Sequence, residues 1–229
     1  MNSNFVGCFG KLPASGDFVA RGLPQNVMHA VYEWFVNGMS ELERREPQEW
    51  RHAYLVTPVW HFVINAGVWV EPALQGCLAP SLDKVGRYSP LMVVRSFENA
   101  VVSDILPPED DWLYRVDDKI RRAINDCLAP EILMDGIDIV FSRSTMLKQA
   151  RSTASILSAL GIVDDSTESH KRWFSWPDLH KSFVERRHRS FWWAEPSPRQ
   201  PPRQVIHSGL PDNDLFCLLL GGNLFGDKK

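Results

Sequence analysis

Four cysteines in 229 residues, Cys8, Cys77, Cys127 and Cys217, are too few and too scattered for a disulfide scaffold. No C-x-x-C pair offers a zinc or redox site, so reduced thiols in or near the core of a cytoplasmic protein are expected. The seven histidines form no H-E-x-x-H and no ligand-like doublet with a carboxylate, which gives metal catalysis no support. His29 and His61 read as packed or surface residues. Neither sign of charge dominates: 25 Lys and Arg face 28 Asp and Glu. That balance provides no broad basic field for nucleic acid and no acidic excess of the disordered kind. No apolar run reaches the ~18–20 residues of a bilayer crossing, and the first residues lack the pattern of a secretory signal. The phosphate cradle G-x-x-x-x-G-K-[ST] is missing too. Ser15 lies in P-A-S-G-D, not in the nucleophile elbow G-x-S-x-G.

What the chain has is a 44% apolar composition and an alternation of strand-like and helix-like segments. Phe5 to Phe9 reads as a strand. From Leu23 to Glu46 the stripe Val27, Val31, Trp34 or Phe35, and Leu42 predicts a helix that Pro47 ends. Tyr54 to Val56 and Trp60 to Ile64 read as short strands around Pro58, Ala73 to Leu78 as an apolar run, and Leu91 to Phe97 as a strong strand. A second helix follows Pro107 and Pro108, with Leu113, Val116, Ile120, Ile124 and Cys127 on its stripe. Ile137 to Phe141 is expected as a buried strand, and a third helix runs from Ser144 or Thr145 to Gly161. Ser190 to Trp193 and Val205 to Ile206 add strands, the latter at an edge. Leu215 to Leu220, behind Pro211 and Asp212, closes the chain with a short helix. The expected fold class is α/β, a mixed central sheet covered by helices on both faces, with residues 1–229 as one large domain or as a domain with a subdomain.

Two polar segments carry the chemistry. In G-C-F-G-K-L-P-A-S-G-D-F, residues 7–18, an apolar strand opens into a loop with one cation, one anion and permissive glycines. In S-L-D-K-V-G-R-Y-S-P-L, residues 81–91, Asp83 and Arg87 stand four apart around Gly86. If both segments reach one end of the sheet, Lys11, Ser15, Asp17, Asp83, Arg87 and Ser89 would form a mixed-charge binding cleft without an evident nucleophile–base couple. The bland alternative is that Lys11 is solvated, Asp17 caps a loop, and Asp83 and Arg87 staple a turn. Residues 171–189 carry six Lys and Arg against Asp178 and Glu185. With Trp176, Arg186 and Arg187 they could present a partner face instead of an ordinary solvated one. Trp192 and Trp193, adjacent in a strand, point to opposite sides, so one of them could be exposed, and both are candidates for that face.

These two blocks, in this order, resemble the TagF (ImpM) family of bacterial type VI secretion. The first looks like the family's opening. A-P-S-L-D-K-V-G-R-Y-S-P-L, residues 79–91, is similar to its internal pattern P-S-x-D-x-x-G-R-x-x-P-L. Residues 5–142 hold the core of the resemblance, and 163–229 form a less similar C-terminal part of the same domain. The resemblance implies a three-layer α/β sandwich and a cytoplasmic post-translational repressor, not an enzyme and without cofactor. Its implied partner is the forkhead-associated (FHA) scaffold protein of the secretion apparatus, held back from assembly; nucleic acid and direct membrane insertion are not expected. The family supplies no catalytic residues to carry over. The competing reading is a small-molecule or anion-binding protein, or a hydrolase, that uses the mixed-charge cleft.

Overall fold

The computed structural model describes residues 4–98, 111–135, 137, 188–195 and 203–222. Seven strands form one sheet: β1 (Val6–Gly10), β2 (Val19–Arg21), β3 (Trp60–Ile64), β4 (Ala73–Ala79), β5 (Leu91–Phe97), β6 (Arg189–Ala194) and β7 (Arg203–Ser208). Their spatial order is β2-β1-β5-β4-β3-β6-β7, and every neighbouring pair is antiparallel. The mixed sheet expected from the alternating pattern is therefore corrected. Parallel neighbours need crossovers of roughly a dozen residues or more. Here four of the six neighbouring pairs are consecutive strands separated by fewer than a dozen residues.

Among the described residues the helices α1 (Gln25–Arg45), α2 (Trp50–Leu55), α3 (Trp112–Asn125) and α4 (Asn213–Leu220) accompany the sheet. Strand side chains alternate between two hydrophobic clusters, as the two-residue period of a strand requires. Trp60, Phe62 and Ile64 of β3 join Met92, Val94 and Trp192 in the cluster that holds Val31 and Phe35 of α1, Tyr54 of α2 and Phe216 of α4. Val63, Val93, Phe191 and Trp193 join the other, with Trp112, Leu113, Val116 and Ile120 of α3. Burial from both sides explains why these central strands read as continuous apolar runs.

The helix limits follow from local chemistry. Pro24, whose φ is −59°, precedes α1, and the helix ends at Arg45, before Pro47. Asp212 caps α4 by accepting a hydrogen bond from the Leu215 backbone N–H at 2.8 Å. The α4 helix is fastened to the rest of the core: Trp34 Nε1 donates to the Asp212 carbonyl at 2.9 Å and Trp60 Nε1 to the Leu219 carbonyl at 2.8 Å. Gly38 lets α1 and α4 approach closely, since a Cβ there would lie 2.2 Å from the Phe216 ring.

Two local expectations change. Tyr54 to Val56 is not a strand: Tyr54 and Leu55 end α2, whose Trp50, Ala53 and Tyr54 are buried at helical spacing. Ile137 is helical, and the remainder of its expected strand, like the third helix, lies outside the described residues.

Candidate functional site

The sheet topology brings the two polar segments together. β1 is antiparallel to β5, so its last residue, Gly10, pairs with the first of β5, Leu91, and β4 ends beside the same point. Loop 11–18 and turn 80–90 must leave from one end of the sheet. Gly10 permits this contact: its φ is +142°, and a Cβ would sit 2.1 Å from the Pro90 carbonyl oxygen. The Lys11 backbone N–H then donates to that oxygen at 3.3 Å.

Asp83 is the centre of the cluster. Its Oδ2 lies 3.0 Å from Lys11 Nζ and accepts from Arg87 Nε at 2.7 Å. Its Oδ1 accepts from the backbone N–H of Arg87 at 2.9 Å and of Val85 at 3.1 Å. Burial opposes ionisation of this carboxyl. The Arg87 N–H, the Lys11 ammonium, the Arg87 guanidinium and the Val85 N–H outweigh it and hold the group well below the usual carboxylate range. Gly86 supplies the positive φ, +85°, that lets the turn fold back on Asp83.

Further bonds sew the two segments into one piece. Arg87 Nη2 donates to the Gly16 carbonyl, and the Lys84 N–H donates to the Ser15 carbonyl at 2.8 Å. Ser81 Oγ donates to the Lys11 carbonyl at 2.7 Å, while Tyr54 OH and the Ser81 backbone exchange two bonds of 2.9 and 3.1 Å. Lys11 Nζ also stands 5.2 Å from the centroid of the Phe18 ring.

The expected site residues therefore meet, but not as an open cleft. The Lys11 side chain is 8% exposed and that of Asp83 0%, whereas Arg87 is 57% exposed. The turn-staple reading holds for Asp83 and Arg87, while Lys11 is buried and not solvated. Ser15 takes part through its backbone carbonyl. Asp17 is exposed and bonds the adjacent Phe18 N–H at 3.2 Å, outside the Lys11 contact. Ser89 is buried, with its N–H on the Ser81 carbonyl at 3.2 Å. The pairing of Ser81 with Tyr54 escaped the sequence reading because a hydroxyl carries no local sign of a partner 27 residues away.

The partner face is corrected in part. Trp192 and Trp193 do point to opposite sheet faces, but both are buried, 0% and 2% exposed, because each face carries its own hydrophobic cluster. Trp176, Arg186 and Arg187 lie outside the described residues.

A second polar cluster was not legible in the sequence. His61 of β3 lies in the interior with Nε2 3.1 Å from Asp117 Oδ2 on α3, and Asp117 also pairs with Arg121. Tyr114 and Trp193 stand edge-on to the imidazole at 5.6 and 5.5 Å. Burial raises the Asp117 pKa, but its bonds to His61 and Arg121 win and leave it lowered. The available sign was Asp117 itself, a carboxylate inside the stripe of Leu113, Val116 and Ile120. This pair packs with α3, in the middle of the sheet, and not between the two polar loops. Among the described residues no group of His, Cys, Asp and Glu could hold a metal ion.

Residues 7–139 match the family described as TagF N-terminal domain, type VI secretion system-associated. This chain belongs to the TagF family. In this TagF chain both signature blocks, residues 7–18 and 79–91, fall inside the matched region and form the cluster just described. Among solved structures, the chain is similar to PA0076 from Pseudomonas aeruginosa PAO1, with a TM-score of 0.66 and 24% identity. The match covers 94% of this chain and 93% of that one, and at this identity it establishes the fold. No curated protein matches the chain. Among the described residues no helix is long and apolar enough to cross a membrane.

Proposed function

We propose that this chain is a post-translational negative regulator of a bacterial type VI secretion system. It acts in the cytoplasm by binding the FHA scaffold component and withholding it from assembly of the apparatus. It works by surface recognition, without catalysis or a cofactor. On the strength of the two separate hydrophobic clusters, we read its architecture as a three-layer αβα sandwich.

Family membership supports this reading, and one observation carries it: Lys11 and Asp83, the two buried charges of the signature blocks, are spent on each other inside the protein. Lys11 and Asp83 neutralise each other in a buried lock, and Arg87 is the member of that lock that reaches solvent. An anion-binding or hydrolytic cleft built on these residues, the competing reading, would have to take Lys11 from Asp83 and leave a buried carboxylate without its ammonium partner, at a cost of several kcal/mol.

The test is direct binding between the purified chain and the purified FHA scaffold at about 0.15 M salt, where weak surface attraction is screened. A stoichiometric complex, with secretion increased when the gene is deleted, is the expected result. A scaffold that stays free at tens of micromolar protein removes the proposal.

A further inference from the structure

Helix α1 has two apolar rows. One, with Val27, Val31, Phe35 and Leu42, packs on the sheet. The other, Met28, Tyr32, Val36 and Met39, also falls at helical spacing, and its Tyr32 and Val36 are 43% and 44% exposed. The signature loop props this second row in place. Phe18, which lies under the Lys11 ammonium, packs edge-on against Tyr32 at 5.5 Å.

Toward the C-terminal end of α1 the row runs into an open groove of about 690 Å³ between α1, α2 and the 83–87 turn. Met39, Trp50 and Tyr88 line its apolar part, the two rings edge-on at 5.1 Å. Its charged lining is Arg51 and Arg87 against the single carboxylate of Glu43. Glu43 is 4.0 Å from Arg51, and the carboxylate of Arg87, Asp83, is shared with Lys11. Cations therefore exceed the anions available to them. Glu46 and Glu49, on the loop before α2, do not line the groove.

An apolar row that ends at a groove where cations outnumber carboxylates defines its complement. We infer that this face docks an amphipathic protein segment, its apolar side chains along Tyr32, Val36 and Met39 and its carboxylates at Arg51 and Arg87. The inference rests on the regulator reading, and the segment belongs to the scaffold partner. Guanidinium groups bind carboxylates in paired, planar geometry. Arg87 is already oriented by Asp83 and the Gly16 carbonyl, so little ordering cost remains for it on binding. Trp50 and Tyr88 in the groove wall beside the exposed Arg51 and Arg87 match the composition of interface hot spots.

Val36→Asp and Arg51→Glu test the inference, because both side chains are exposed and neither belongs to the Lys11–Asp83 lock. Titration calorimetry against the purified FHA scaffold should show each variant at least about 10-fold weaker, with the double variant below detection at micromolar protein. The salt dependence of binding should flatten in Arg51→Glu. Thermal melts should match wild type. Should a reversed charge disturb the fold, Val36→Ser and Arg51→Gln make the same comparison and should still weaken binding by about 3-fold or more. Folded variants that bind the scaffold as wild type does overturn the groove while the regulator reading stands. A wild-type chain that does not bind removes both. Variants that lose self-association in sedimentation but keep full scaffold affinity assign the face to a second copy of this chain and overturn the inference.

Discussion

Lys11 Nζ and Asp83 Oδ2, on separate loops at one end of the sheet, lie 3.0 Å apart with both side chains almost fully removed from solvent. Removing one partner of a buried pair leaves the other charge uncompensated, a loss of about 3–5 kcal/mol. Asp83→Ala should cost that much in urea unfolding. Arg87→Ala should cost only about 1 kcal/mol, because its guanidinium is largely in water and an exposed pair is weak. Equal losses from the two variants would contradict the lock.

The same carboxyl predicts a pH dependence. Its folded pKa is depressed, so its contribution is complete above the unfolded value of about 3.9 and is lost as pH falls from there toward the folded value. The stability gap between wild type and Asp83→Asn should be constant from pH 7 to 5. Below about pH 4 it should shrink by about 1.4 kcal/mol per unit. Denaturant melts of both proteins at each pH measure it, and a gap that widens in acid would refute the assignment.

Gly38→Ala sets two effects against each other. Alanine improves the intrinsic stability of a helix interior by about 1 kcal/mol. The new methyl would stand 2.2 Å from Cγ of the buried Phe216 ring, and overpacking of this kind costs about 1–3 kcal/mol. Because α4 is held in place by the Trp34 and Trp60 indole bonds, its ring has little room to retreat. The variant should be destabilised in thermal melts despite its better propensity.

The thiols should separate by reactivity. Burial pushes Cys8 up to about 12, Cys77 well above its ordinary value and Cys217 up to about 11, whereas Cys127 is exposed. Since the thiolate is the reactive form, native protein should release the colour of one fast thiol with Ellman's reagent, and four after denaturation. Cys127 also holds φ +50° just past the end of α3, with the Leu128 N–H on the Ala123 carbonyl at 3.0 Å. Cys127→Gly should remove the fast thiol and stabilise the chain by about 1 kcal/mol, as glycine does at this position.

What the sequence displayed and what it concealed divide along physical lines. Pro24 and Pro47 marked the limits of α1, and Asp212 marked the start of α4, because proline and cap effects are local. The meeting of the Lys11 and Asp83 loops could be anticipated from two strands that open into polar turns. Strand direction was not visible, since the same apolar runs suit either pairing. With six residues, α2 offered less than two turns of periodicity around Tyr54. Whether Lys11 or Trp193 reaches solvent depends on what covers it: Asp83 and Arg87 for the first, the α3 cluster for the second.

The His61–Asp117 pair yields a prediction in which the double substitution is milder than one of its parts. Asp117 is the carboxylate facing the buried imidazole, whose Nδ1 has no hydrogen-bond partner among the described residues. Asp117→Leu would strand His61 Nε2 as well, and an unsatisfied buried polar group costs about 1–3 kcal/mol. Substituting both residues by apolar groups removes the donor together with its acceptor, and Trp193, Tyr114 and Val63 already surround the site with apolar surface. His61→Leu/Asp117→Leu should therefore be more stable than Asp117→Leu alone, with a coupling of about 1–2 kcal/mol in a double-mutant cycle. Arg121→Ala, at the exposed end of the network, should cost less than about 1 kcal/mol. Strict additivity of the two leucine substitutions would mean that the imidazole does not depend on Asp117 for its place in the core.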